Sequence, residues 1–114
     1  MNLNLGCGYK KIPGWVNVDK DTNANPDVVC DLEQFPWVWK DNSIDAIQLT
    51  HVLEHLGATT DVYLSIWKEM WRISKHNTLI EITVPHWLHE NFVHDPTHVR
   101  PITPIGIAMF DQER

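Results

Sequence analysis

Small and acidic residues follow the first three apolar segments of this sequence. The turn Gly6-Cys7-Gly8 comes directly after residues 3–5, and Asp19 and Asp31 end the next two apolar runs. Glycine allows a backbone to approach a ligand closely. A carboxylate at the end of a strand can accept hydrogen bonds from both hydroxyls of a ribose. Asp31 could accept one from the exocyclic amine of an adenine that packs on Leu32. The set therefore indicates a site for a nucleoside-like ligand.

Histidines form a second chemically active group. His51, Glu54 and His55 match H-x-x-E-H, a zinc peptidase pattern that would put both histidines on one face of a helix. A catalytic zinc also needs a third protein ligand and a bound water. So short a pattern arises easily by chance, and we therefore expect no metal at these residues. Irregular spacing of four more histidines favours a polar loop over the site, with anion binding or proton transfer as the alternative. These are His86, His89, His94 and His98.

Short strands and one long helix are the elements that would position these residues. An apolar stripe at helical spacing predicts a helix that Thr60 caps. Lys75 and His76 would lie near its end, and Asn77 would terminate it in a left-handed conformation. Runs of β-branched residues bounded by turn residues predict five strands. They cover residues 3–5, 15–19, 27–31, 44–49 and 79–84.

The connections between these elements indicate how the chain is arranged. Shorter helices are predicted over 50–56 and from Thr103 onwards. Strands that alternate with helices or loops indicate a parallel α/β sheet. The nine residues between Leu5 and Trp15 leave room only for a loop or a single turn. Ligands of such sheets bind beyond the carboxyl ends of the strands, which is where the residues described above would meet.

Composition agrees with a single globular domain over residues 1–114. The chain has 43% hydrophobic and 21% charged residues, the balance of an ordinary folded protein. Fifteen acidic against nine basic residues, a net charge of −6, argue against nucleic-acid binding. No apolar run approaches the roughly 20 residues of a membrane span, and the start lacks the features of a signal peptide. Two cysteines, Cys7 and Cys30, are too few for a disulfide framework. We therefore expect a cytoplasmic protein with free thiols and no membrane partner.

Six segments, in this order, carry a resemblance to a known family: LNLGCG, GWVNVD, VVCDLEQFPW, SIDAIQLTHVLEHL, WRIS and TLIEITVPH. Together they resemble the motifs of class I S-adenosylmethionine-dependent methyltransferases, most closely the type 11 methyltransferase domains. The resemblance covers about residues 3–86. It implies a Rossmann-like, doubly wound, mostly parallel sheet. It also implies transfer of the methyl group of S-adenosylmethionine to an acceptor, which we expect to be a small molecule.

The resemblance also implies roles for individual residues. The glycine turn would lie against the methionine part of the cofactor and Asp19 would hold its ribose. Asp31 and Leu32 would border the adenine. The full cofactor-binding set is Gly6, Cys7, Gly8, Asp19, Asp31, Leu32, Thr50 and His51. No residue is assigned to catalysis by the motifs, and His51, His55 and His86 are the candidates that the sequence offers.

The sequence departs from the family pattern in three places. In the family, the glycine-rich loop carries a further glycine and opens a helix, whereas this sequence has residues 9–14 at that place. Residues 75–78 stand where the family has a Lys-Pro-Gly-Gly turn. The family sheet has two more strands after the fifth, for which little sequence remains, so we expect a truncated version or one that a partner completes. The apolar segment 102–110 predicts a homodimer or partner contact. The alternative function is therefore a non-catalytic cofactor-binding or partner-binding module, with a zinc-dependent hydrolase third.

Overall fold

Parallel strands and one α-helix make up most of the regular structure of this chain. The computed structural model describes residues 1–85, 95–103 and 107. Helix α1 (Thr60–Ile73) precedes the last strand of the described part. The strands are β1 (Asn2–Leu5), β2 (Val16–Asp19), β3 (Val28–Val29), β4 (Ile44–Thr50) and β5 (Ser74–Thr83).

Within the described residues the five strands form one parallel sheet in the order β3-β2-β1-β4-β5. This confirms the predicted Rossmann-like, mostly parallel α/β fold. The strand order reverses between β1 and β4, and a crevice forms at such a switch point beyond the carboxyl ends of the strands. The family pattern has two further strands after β5. Much of the chain after β5 lies outside the described residues. The absence of these two strands stays a prediction.

The core lies on the sheet and under α1. Leu3, Leu5 and Ile47 are fully buried on the strands, and Ile66 and Met70 are fully buried on the helix. The helical residues belong to the apolar stripe that the sequence predicts, which recurs at the spacing of one helix face. Burial of this stripe anchors α1 to the sheet and leaves the carboxyl ends of the strands open.

The connection from β1 to β2 is a loop, as its length predicts. There is no crossover helix in this connection, which lies wholly within the described residues, and two buried asparagines fix the path of the loop. The Asn4 amide donates to Asn17 Oδ1 at 2.9 Å and to the Lys10 carbonyl at 3.0 Å. Asn17 Oδ1 also accepts the backbone N–H of Ile12 at 2.8 Å. Because buried polar groups need partners, these bonds give the loop a defined path and bring Gly8 beside the end of β2.

Both predicted ends of the long helix need correction. Thr59 is the N-cap in place of Thr60, and its Oγ1 accepts the Val62 N–H at 3.3 Å. The helix ends at Ile73, and the next residue already starts β5, so Lys75, His76 and Asn77 lie in the strand. Ser74, and not Asn77, is the C-cap, and its hydroxyl donates to the Met70 carbonyl at 2.6 Å. Asn77 is left-handed, with φ 66°, but at an irregularity of β5.

The predicted helix over residues 50–56 is also wrong. Strand β4 continues to Thr50, and only Leu53–His55 form a single 3₁₀ turn. His51 has φ 55°, a left-handed conformation that a right-handed α-helix does not accommodate. The predicted last helix falls mostly outside the described residues. Ile107 is helical, and its N–H donates to the Thr103 carbonyl at 3.0 Å.

Two described residues of the apolar segment 102–110 contact the core of this chain. Ile102 is buried, and Ile107 packs against the core cluster. Their apolar surface is therefore used in part within the molecule. None of the helices in the described part of the chain has the length and apolar character that a membrane crossing requires.

Candidate functional site

A cleft of about 230 Å³ lies at the carboxyl ends of the strands. It brings together five of the residues that the sequence assigns to cofactor binding, which are Gly6, Asp19, Asp31, Leu32 and His51. The cleft is also lined by residues that were not assigned to cofactor binding, namely Lys20, Cys30, Glu33, Val52, His55 and Leu56. The predicted roles of the five toward a cofactor stay predictions.

Asp19 is held rigidly at the end of β2. Its Oδ2 accepts the backbone N–H of Gly8 at 2.8 Å, and its Oδ1 accepts the N–H of Asp21 at 2.9 Å. A carboxylate has about four lone-pair positions, so each oxygen retains one for a ligand. Each oxygen of Asp19 can therefore accept one further hydrogen bond.

Cys7, Gly8 and Thr50 do not line this cleft. Gly8 acts instead through its N–H bond to Asp19, and Cys7 is buried, with its N–H bonded to the Val18 carbonyl at 2.9 Å. The Thr50 hydroxyl accepts the Gln48 amide at 3.1 Å. The glycine turn is thus a support for the site as well as a part of its wall.

Gly6 is the point where two loops meet. It has φ 67°, and a Cβ added to it would lie 2.6 and 2.8 Å from the two methyl groups of Val52. Both the left-handed backbone and the close approach require glycine here. Because Gly6 and Val52 both line the cleft, this contact sets the position of the glycine turn relative to the loop after β4.

The wall on the β3 side combines a carboxylate, a thiol and an apolar side chain. Asp31 Oδ1 accepts the N–H of Glu33 at 2.9 Å, which forms a turn after β3. Leu32 is buried, and its carbonyl accepts the Trp37 indole N–H at 3.1 Å. Burial, together with the negative charge of Asp31, raises the pKa of the Cys30 thiol. The thiol therefore stays neutral and is a packing group.

Cys7 has the same character. Burial and the charge of Asp19 raise the pKa of its thiol. Neither described thiol has the lowered pKa of a nucleophile.

The loop after β4 carries the histidine pattern, but not as a helix. His51 is half exposed, and its Nδ1 lies 3.8 Å from Oε2 of Glu54. Nε2 of His55 lies 4.0 Å from the same oxygen, and the Glu54 side chain is 1% exposed. The zinc peptidase arrangement assumed both histidines on one helical face. The single 3₁₀ turn does not provide that face, so this premise is wrong.

Residues 95–103 pack against this loop, and the sequence did not reveal that contact. The N–H of Val99 donates to the Glu54 carbonyl at 2.9 Å. The guanidinium of Arg100 donates to the Gly57 carbonyl and lies 3.8 Å from the centre of the Tyr63 ring. His86, His89 and His94 lie outside the described residues, whereas the ring of His98 lies 4.6 Å from that of His55.

Comparison with known proteins identifies the family. The sequence model of a family described as methyltransferase domain matches residues 7–82. The chain therefore belongs to the methyltransferase domain family, and the family assignment made from the motifs is confirmed.

A solved structure shows the same fold. It is the crystal structure of a SAM dependent methyltransferase from Archaeoglobus fulgidus, with a TM-score of 0.78 and 22% sequence identity. The match covers 96% of this chain and 57% of that chain. The present chain thus spans little more than half of the length of the protein it resembles. No curated protein matches the sequence.

Proposed function

We propose that this chain binds S-adenosylmethionine in the cleft and transfers its methyl group to a small-molecule acceptor. The observation that carries the proposal is the Asp19 carboxylate, which lines the cleft at the end of β2. Each of its oxygens accepts one backbone N–H and keeps a second lone pair for a ligand. Two adjacent ribose hydroxyls are donors of matching number and spacing. The family to which the chain belongs supports the same cofactor.

The charge of the cleft favours a cationic ligand. Asp19, Asp31 and Glu33 line it, and Lys20 is the basic residue among its lining side chains. When bound, S-adenosylmethionine supplies a methyl group on a positively charged sulfur. An excess of carboxylates lowers the free energy of such a cation in a partly desolvated cleft. Leu32 supplies an apolar surface beside Asp31, which suits an adenine ring and its exocyclic amine.

The residues on the opposite wall can serve the acceptor. His51 and His55 both line the cleft after β4. Orientation and exclusion of water are the main requirements for methyl transfer. A hydroxyl or amine acceptor also loses a proton, and a neutral imidazole is a suitable base for it. His51 has the more exposed side chain of the two, so we assign the proton-accepting role to His51.

Calorimetric titration tests cofactor binding. S-adenosylmethionine should bind with one site per chain. Asp19→Asn should weaken it by about 10- to 150-fold, since charge-assisted hydrogen bonds contribute about 1.5–3 kcal/mol. The matched control is Asp61→Asn, which removes the same charge from an exposed position in the first turn of α1. Equal affinities of the two variants would show that Asp19 does not hold the ribose.

Product release tests catalysis separately. Wild-type chain is incubated with S-adenosylmethionine and a set of small hydroxyl, amine and thiol compounds, and formation of S-adenosylhomocysteine is measured. Turnover with at least one compound is the expected result, and His51→Gln should reduce this turnover at saturating S-adenosylmethionine. Tight cofactor binding with no turnover on any compound would favour the non-catalytic cofactor-binding module instead.

A further inference from the structure

A buried carboxylate and two imidazoles meet behind the wall of the cleft. One ligand atom of each of Glu54, His55 and His98 lies within 4.8 Å of the other two. Three ligands in a tetrahedral zinc site, each about 2.0–2.2 Å from the ion, are roughly 3.4 Å apart. Side-chain movements of about 1 Å would therefore close the cluster around an ion. His98 comes from the segment 95–103, far from the other two in sequence.

Within the described part of the chain, the Glu54 carboxylate lacks the partners that a buried charge requires. Its side chain is 1% exposed, and Oε1 has no hydrogen-bond partner among the described residues. Oε2 lies 3.8 Å from His51 Nδ1 and 4.0 Å from His55 Nε2, both longer than a hydrogen bond. Burial of a charge without compensation is costly. The position of this carboxylate therefore points to a cation as its missing partner.

Hydrogen bonds behind His55 orient its ring for metal binding. The Thr97 hydroxyl donates its proton to Asp95 Oδ1 at 2.6 Å. The 2.8 Å contact between Thr97 Oγ1 and His55 Nδ1 must then use a proton on Nδ1. In neutral His55 the lone pair consequently lies on Nε2, the nitrogen that faces Glu54. Histidine ligands of metals are commonly held by such an outer chain that ends in a carboxylate.

Asp95 also lies beside the second histidine. Its Oδ2 is 3.4 Å from His98 Nε2. One carboxylate thus lies beside His98 and is linked to His55 through the Thr97 hydroxyl. The His98 side chain is 6% exposed, so two of the three ligating groups are shielded from solvent.

We propose that Glu54, His55 and His98 bind a divalent first-row transition-metal ion, with Thr97 and Asp95 as positioning residues. Imidazole and carboxylate are ligands that zinc and its neighbours accept. Three protein ligands leave one coordination position open. His55 also lines the cleft, so a water or an acceptor oxygen bound there is the natural fourth ligand.

This proposal departs from the sequence-based expectation of no metal. The H-x-x-E-H pattern suggested His51 and His55 as ligands and left the third unidentified. The structure removes His51 from the set and adds His98, because the segment 95–103 packs on the loop after β4.

Metal titration of the chelator-treated, full 114-residue chain tests the site directly and requires no methyl acceptor. Zn²⁺ should bind with one equivalent per chain, and Co²⁺ should give the visible absorption of a low-symmetry nitrogen–oxygen site. Mg²⁺, which prefers all-oxygen octahedral sites, should not bind. Glu54→Gln and His98→Gln should each weaken Zn²⁺ binding by more than 100-fold. Thr97→Val should weaken it by about 10- to 100-fold, the effect of losing an outer-sphere partner.

Controls separate the ligands from neighbouring histidines. His76→Gln, an exposed position on β5, should leave the Zn²⁺ affinity unchanged. His51→Gln should change it by less than about threefold. Circular dichroism checks each variant for folding, and the Co²⁺ spectrum of His98→Gln carries the test if Glu54→Gln unfolds. Absence of saturable Zn²⁺ binding to wild type would overturn the proposal, as would binding that survives His98→Gln or is lost with His51→Gln.

Discussion

Replacement of Gly6 by alanine tests how the glycine turn meets the loop after β4. Two separable costs are expected. The left-handed backbone, with φ 67°, costs about 1–2 kcal/mol for a residue with a Cβ. The new Cβ would also lie 2.6 and 2.8 Å from the Val52 methyl groups, and overpacking of this kind costs about 1–3 kcal/mol. Gly6→Ala should therefore destabilise the chain by about 2–5 kcal/mol.

Gly8→Ala is the matched control. Gly8 has φ 50°, but a Cβ there would meet nothing within 4 Å. Only the backbone cost of about 1–2 kcal/mol should remain. A second control is Val52→Ala combined with Gly6→Ala, which should recover most of the overpacking cost relative to the sum of the single variants.

Urea unfolding supplies the measurement. The urea midpoint should fall further for Gly6→Ala than for Gly8→Ala. The slope of the free energy of unfolding against urea should stay unchanged, because only stability changes. Equal destabilisation by the two alanines would show that the Val52 contact is not a constraint. The same conclusion would follow if the effects of Val52→Ala and Gly6→Ala on the free energy of unfolding were additive in the double variant.

Three further predictions concern charges and assembly. Bonds from Arg72 lower the pKa of Glu69 below its ordinary value of 4.5. The stabilisation that this contact provides is therefore fully present above the ordinary pKa of 4.5 and is lost as pH falls through the lowered pKa. Glu69→Gln should reduce the free energy of unfolding by about 1–3 kcal/mol at neutral pH. The same variant should flatten the acid dependence of stability in urea unfolding. Lys75 and the N-terminal amine lower the pKa of Asp45 to about 2, so Lys75→Ala should move the carboxyl titration seen by NMR upward, and an unmoved midpoint would contradict the assigned cause. We also propose self-association through segment 102–110. Sedimentation velocity should detect it as a concentration-dependent shift, and a concentration-independent monomer would contradict it.

The fold was predictable from the sequence because each strand contains apolar residues that lie between turn residues. The predicted strand over 44–49 differs by one residue from β4, and its apolar residues Ile44, Ile47 and Leu49 are buried in the sheet. The end of α1 was not predictable in the same way. Residues 60–84 contain no glycine or proline, and the helix stops where the Ser74 hydroxyl donates to the Met70 carbonyl and the strand pairs with Ile44. That pairing is a tertiary contact, which local preference does not report.

The cleft was predictable in part. Asp19 follows a strand, so its place at the carboxyl edge follows from the parallel fold alone. The support that Gly8 gives to Asp19 depends on the path of a loop that two buried asparagines hold. His98 joins the site through a contact between distant segments, and no spacing in the sequence encodes it.

The loop after β4 connects the two proposed sites and makes their interaction testable. His51 and His55 line the cleft, while Glu54 and His55 belong to the proposed metal cluster. The two positive charges of a bound divalent ion would outweigh the single negative charge of the Glu54 carboxylate. The wall of the cleft after β4 would then carry a net positive charge. Zn²⁺ should therefore weaken binding of S-adenosylmethionine, whose sulfur is charged, more than binding of S-adenosylhomocysteine, whose sulfur is neutral.

The effect must be reciprocal, because coupling between two binding equilibria is a single free energy. The factor by which Zn²⁺ changes the cofactor affinity should equal the factor by which the cofactor changes the Zn²⁺ affinity. Calorimetry in both orders of addition measures the two factors, and His98→Gln should abolish both. Equal weakening of the charged and the neutral ligand would show that the ion acts by moving the loop and not by its charge.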